Sequence, residues 1–86
     1  MKMSDRKTKN QIGYVFITSG VGKEQEIIEA AKKIEEVEEA WAVYGAYDII
    51  IKIVAIDIKV FGKIVEQKIR KIPHVRSTLT FLVMED

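Results

Sequence analysis

The sequence predicts an α+β fold of order β-α-β-β-α-β: a four-stranded antiparallel sheet with two helices on one face. Three observations lead there. Apolar periodicity alternates along the chain between the period of two of strands and that of about 3.6 of helices. Each helix-like stretch is framed by strand-like runs, and the two central runs meet at a short Gly-containing joint. Two right-handed crossovers around a central hairpin have few compact solutions, and the split β-α-β, ferredoxin-like arrangement satisfies them.

The elements follow in order. "IGYVFIT" (12–18) is strand-length and rich in β-branched and aromatic residues, and "SGVG" supplies a turn. From Lys23 the period changes. Ile27, Ala30, Ala31 and Ile34 share one helix face, while Glu24, Glu26, Glu29, Lys32, Lys33, Glu35 and Glu36 form a solvated one. Glu24 and Glu26 suit the positive end of the helix dipole. "AWAVY" and "YDIIIKIV" flank Gly45-Ala46 and read as a β-hairpin. Asp57 is placed to cap a second helix with Ile58, Phe61, Val65, Ile69 and Ile72 on its apolar side, ended by Pro73. Gly62 inside that helix points to a close backbone approach. "VRSTLTFLVM" (75–84) is the last strand.

Composition bounds what the fold can be. The 86 residues, 48% apolar and 31% charged, make one globular domain near the lower limit for a single self-sufficient core. Absence of cysteine removes disulfides, thiolate metal sites and thiol nucleophiles, and suits a cytoplasmic address. No apolar run approaches the roughly 20 residues that span a bilayer. Net charge is +1, but residues 1–11 alone carry +3 through Lys2, Arg6, Lys7 and Lys9 against Asp5. They read as a disordered basic tail, with 12–86 as the domain; four cations would give a phosphate backbone only weak, salt-sensitive attraction. Abundant Ile, Val, Glu and Lys beside few Asn and Gln lean toward a thermophilic source.

Strand parity divides the sheet. Ile49, Ile51 and Ile53 lie on one side of the third strand, and Asp48, Ile50, Lys52 and Val54 on the other. In the last strand Leu79, Phe81 and Val83 share one side, and Arg76, Thr78, Thr80, Leu82 and Met84 the other. Assigning the all-apolar sides to the helices leaves Ile50, Val54, Leu82 and Met84 as an exposed apolar strip. A second copy should cover it, sheet against sheet.

"EEAWAVYGAYDIIIKI", followed one helix later by "KIRKIPHVRSTLTFLV", resembles the effector-binding (RAM) domain of the Lrp/AsnC transcriptional regulators over roughly residues 12–84. The resemblance rests on Gly45, Tyr47 and Asp48 in a Gly-x-Tyr-Asp joint, on Ile72-Pro73, and on Ser77, Thr78 and Thr80 in a Ser-Thr-x-Thr segment. His74 stands where the family usually has Gly, which puts the geometry of that turn in question. Only eleven residues precede the first strand, so the expectation is a stand-alone domain without the family's helix-turn-helix and without direct DNA binding.

The resemblance implies a dimeric α+β barrel, dimers assembling into an octamer or decamer, and a free amino acid bound between neighbouring dimers, with full-length Lrp/AsnC regulators as further partners. It implies effector contacts at the joint of Gly45, Tyr47 and Asp48 and at Ser77, Thr78 and Thr80, from the same or different chains; Tyr44 and Tyr47 are the residues at hand to wall the side-chain pocket. The chemistry agrees. A zwitterion needs an anion at its ammonium end, which Asp48 supplies, and hydroxyls or backbone N–H groups at the other, which Thr78 and Thr80 offer. Each residue also has a plainer reading. Asp48 can be a hairpin residue bonding its own backbone, Thr78 and Thr80 strand formers, Trp41 packing at a subunit contact, and His74 a surface residue. No cofactor or metal is implied. A ligand-free assembly module is the alternative, and a small α+β barrel enzyme a further one, for which Asp48 would be the sole, unpartnered base.

Overall fold

The computed structural model describes residues 10–84. The expectation about the basic tail therefore lies, but for its last two residues, outside the described residues. Gln11 already belongs to the first strand, one residue earlier than the sequence suggested.

The elements are β1 (Gln11–Ser19), α1 (Glu24–Lys32), β2 (Val37–Ala42), β3 (Ile49–Ala55), α2 (Ile58–Ile64), a π-helical turn (Val65–Ile69) and β4 (Val75–Leu82). The sheet runs β2-β3-β1-β4, with every neighbouring pair antiparallel. This is the ferredoxin-like α+β arrangement expected from the element order.

One side of the sheet carries the core. Val15, Ile17, Ile49, Ile51 and Ile53 are wholly buried beneath Ile27, Ala31, Phe61 and Ile69 from the helical layer. Val15 lies opposite Ile51 and Ile17 opposite Ile49, so the two central strands present one continuous branched surface. Asp57 caps α2 as expected, its Oδ1 accepting from Val60 N–H at 2.8 Å. The second helix departs from a simple 3.6 period. Ile64 and Ile69 are both buried five residues apart, a spacing that the π-helical turn accommodates; its Arg70 N–H to Val65 carbonyl bond is 2.9 Å.

Three expectations are corrected. The β2–β3 connection is longer than a tight hairpin: β2 starts at Val37 with a bulge before Glu39, and residues 43–48 bridge the strands, closed by Val43 N–H to the Asp48 carbonyl at 2.9 Å. Gly62 is not a close-approach site, since a Cβ there would meet nothing within 4 Å. Gly13 is: a Cβ would stand 2.5 Å from Cζ of Phe61 and 2.8 Å from the Phe81 carbonyl oxygen, so the absent side chain lets the Phe61 ring rest on the sheet.

The third correction is to β4. Its residues Thr78, Thr80 and Leu82 lie opposite Ile17, Val15 and Gly13, and therefore on the helix side; Leu79 and Phe81 lie opposite Phe16 and Tyr14, and therefore on the outer side. The sequence assigned them the other way round. The reason is position: β4 is an edge strand only partly covered by the helices, so its greasier side faces away from them. Of the strip expected on the outer face, Ile50 and Val54 are there, Leu82 is not, and Met84 lies exposed beyond the end of the strand.

Candidate functional site

The outer face is more apolar than expected. Ile12, Tyr14 and Phe16 of β1 stand opposite Val54, Lys52 and Ile50 of β3, with Leu79 and Phe81 on one flank and Trp41 on the other. Phe16 is the hub. Its ring centroid is 5.2 Å from that of Phe81 and 5.7 Å from that of Tyr47, the latter edge-on. Trp41 is 60% exposed and Phe81 52%, a cost that a large apolar patch recovers only when another surface covers it.

Polar groups gather at one end of this face. Asp48 sits just before β3, its N–H bonded to the Ile17 carbonyl at 2.9 Å. Its carboxylate is half-buried and reaches across to the last residue of β1: Oδ2 accepts from the Ser19 N–H at 2.8 Å, with the Ser19 hydroxyl at 3.5 Å. Among the described residues both bonds fall on Oδ2, leaving Oδ1 as an acceptor. Beside Ser19, the Thr18 hydroxyl lies 2.6 Å from that of Ser77 on β4. Asp48–Ser19 and Thr18–Ser77 are thus two hydrogen-bonded pairs that meet at neighbouring residues of β1, a polar row with Tyr47 and Phe16 as its aromatic border.

Of the candidate effector residues, Tyr47, Asp48 and Ser77 are brought together here. Gly45 adopts φ 144°, in the region that favours glycine, and lets residues 43–48 fold back to Asp48. Tyr44 is fully exposed on that loop. Thr78 and Thr80 are separated from the row. They lie on the helix side of β4, in a groove shared with Phe61, Gly62 and Arg70, so they do not share a sheet face with Asp48 as the sequence suggested. Thr18, Ser19 and Phe16 join Tyr47, Asp48 and Ser77 without having been expected from the sequence. The visible signal was the pair of hydroxyl residues before Gly20, at the end of the strand that the topology sets beside β3.

His74 answers the question of its turn. It adopts φ 77°, the left-handed conformation that glycine takes easily, and its carbonyl accepts from Gly20 N–H at 3.0 Å. The backbone is that of a glycine turn although the residue is not glycine. Its Nε2 lies 3.9 Å from Glu26, a contact that is ionic only when the imidazole is protonated.

The model of the Lrp/AsnC ligand binding domain matches residues 13–86. The chain belongs to the Lrp/AsnC family. It is 38% identical over 61 residues to a proline dehydrogenase transcriptional activator of Rhizobium radiobacter, a match covering 71% of this chain and 39% of the activator. The chain therefore spans about two-fifths of that relative's length. Among solved structures, a hypothetical protein from Pyrococcus horikoshii superposes with a TM-score of 0.82 at 32% identity, covering 88% of this chain and 92% of that one. E. coli AsnC gives 0.88 at 21% identity, over all of this chain and 58% of its own. A Neisseria meningitidis transcriptional regulator solved as its L-Met complex gives 0.82 at 14% identity, again over all of this chain and 57% of its own. The Lrp/AsnC assignment makes this a ligand-binding domain of regulatory type. No helix among the described residues is long and apolar enough to cross a membrane.

Proposed function

We propose that this Lrp/AsnC domain binds a free amino acid at the end of the sheet marked by Asp48, in a seam created when a second copy covers the outer face. The observation that carries the proposal is the Asp48 carboxylate: one oxygen is committed to Ser19, and the other remains an acceptor beside a hydroxyl row and an aromatic wall. An ammonium group at Oδ1 gains a charge-assisted hydrogen bond. The Thr18 and Ser77 hydroxyls serve the carboxylate end, and Tyr47 and the loop around Gly45 border the side chain. The L-Met complex of the Neisseria regulator, which shares only the fold, supports the ligand class.

Regulation follows from the Ser19 contact. Ser19 leads directly into the turn that starts α1, so a cation drawn to Asp48 alters how firmly that turn is held. Such a ligand shifts the assembly only to the extent that it binds one arrangement better than another. We take the assembly to be a homodimer, further associated into a ring of eight or ten chains, working in the cytoplasm with full-length Lrp/AsnC regulators as partners. The role is one of binding, not catalysis.

Thermal melts with each of the twenty amino acids test this. At a hundredfold excess over Kd a true effector adds roughly 2.7 kcal/mol. A rise in Tm with one or a few of them, abolished by Asp48→Asn, is the expected result. No rise with any amino acid supports a ligand-free assembly module instead.

A further inference from the structure

We propose that the helical layer is a second contact surface between copies of this chain, in which α1 of one copy lies antiparallel on α2 of another and is held there by paired charges. The surface is on the side of the sheet away from Phe16 and Phe81, and it does not rest on the reading of the outer face or of Asp48.

The charges of the domain are segregated. Residues 10–57 carry four lysines against nine acids, whereas residues 58–84 carry six Lys and Arg against Glu66 alone. The described chain is therefore neutral, while its two parts carry −5 and +5. In space the acidic part follows α1, which packs on β2, and the basic part follows α2, whose Phe61 reaches Gly13 and the Phe81 carbonyl toward β4. The Lys68–Glu36 bridge at 3.5 Å marks the line where the two parts meet. A nucleic acid is a poor match for a neutral domain whose acidic half adjoins its basic half. A second copy is a good one, because it offers each half its opposite.

The match extends to single residues. Glu29, Lys33 and Glu36 lie off the face of α1 that buries Ile27, Ile28 and Ala31. Lys63, Glu66 and Arg70 are exposed on α2 and its π-helical turn, off the face that buries Phe61, Ile64 and Ile69. Among the described residues only Glu36 of these six is in an ion pair. α1 returns from the end of β1 and α2 from the end of β3; those strands are antiparallel, and so are the helices. A two-fold axis along the helices sets α1 of one copy on α2 of the other and keeps them antiparallel. Positions 36, 33 and 29 then read acid, base, acid in steps of three and four residues, against base, acid, base at 63, 66 and 70 in the same steps. The symmetry doubles the set. The alternative axis, across the helices, lays α1 on α1 and sets acidic part on acidic part.

Gly62 is an independent sign of a close neighbour. It is exposed inside α2, where glycine is disfavoured, and a Cβ there would meet nothing of its own chain within 4 Å. Beside Lys63, the missing side chain opens the α2 backbone to the helix of a partner. Single ion pairs in water are weak, so the contact is salt-labile.

The test is zero-length carbodiimide crosslinking of an equilibrated mixture of ordinary and isotope-labelled full 86-residue chains, read by mass spectrometry. Lys33–Glu66 and Lys63–Glu36 links between differently labelled chains are expected at about 0.01 M salt. They should be lost at about 1 M, as the screening length falls from about 30 Å to about 3 Å. Phe81→Lys should leave the links in place. In sedimentation velocity, Arg70→Glu and Glu29→Arg should each lose the salt-dependent association, and the Glu29→Arg/Arg70→Glu double variant, which has the natural net charge, should regain it. Links confined to chains of one label, links that persist unchanged at high salt, or a double variant as dissociated as the single ones each overturn the proposal.

Discussion

Ser19 donates its backbone N–H to Oδ2 of Asp48 at 2.8 Å, so the carboxylate at the head of β3 fastens the last residue of β1. The two readings that the sequence left open for Asp48, turn chemistry or ligand contact, are therefore compatible. One oxygen serves the fold and the other remains an acceptor, which the proposed function uses. Asp48→Ala leaves the Ser19 N–H without this acceptor and should cost about 1 to 2 kcal/mol, the half-exposed site keeping the loss below that of a buried charged bond. Asp48→Asn retains an acceptor and should cost under about 1 kcal/mol. Urea denaturation of the two variants measures the difference.

Gly13→Ala forces a methyl group against the Phe61 ring and the Phe81 carbonyl. We expect a loss of about 1 to 3 kcal/mol, the range for overpacking a core. Adding Phe61→Leu should recover part of it, because the backbone oxygen at 2.8 Å stays in place. Full recovery in the double variant would show that only the ring resists.

His74→Gly should stabilise the chain by about 0.5 to 1 kcal/mol, since relief of the left-handed strain outweighs the added freedom of the unfolded glycine. His74→Val should destabilise it by more than that, because a branched side chain tolerates φ 77° poorly. Thermal melts of the three chains give the order.

Phe81→Lys places a charge in the middle of the outer face, where Phe81 is half-exposed and packs on Phe16. Sedimentation velocity should find dimers or larger species for the natural chain and smaller species for the variant, with a lower Tm that no longer rises with protein concentration. A natural chain that sediments as a monomer at micromolar concentration contradicts sheet-to-sheet pairing.

Much of this was legible in the residues. Ile49, Ile51 and Ile53 alternate with a side that carries Asp48 and Lys52 in a central strand, where both faces are defined by neighbours, so parity alone assigned them to the core correctly. Parity failed in β4 because an edge strand is not bound by that rule: Phe81 turns outward to Phe16, and Thr80 turns toward the sparsely covered helix side. Residues 43–48 were read as a shorter turn because Gly45 was visible, whereas the bulge before Glu39 that resets the register of β2 was not. The Ser19 contact to Asp48 joins residues 29 positions apart, and no local pattern announces it.

The most direct test of the central claim is a pair of calorimetric titrations, natural chain and Asp48→Asn, with an amino acid that raises the melting temperature. The expected result is saturable binding to the natural chain and its loss in the folded variant. Equal binding to both proteins at residues 43–48 and Ser77, located by the accompanying amide shifts, would contradict the assignment of Asp48 as the group that holds the effector.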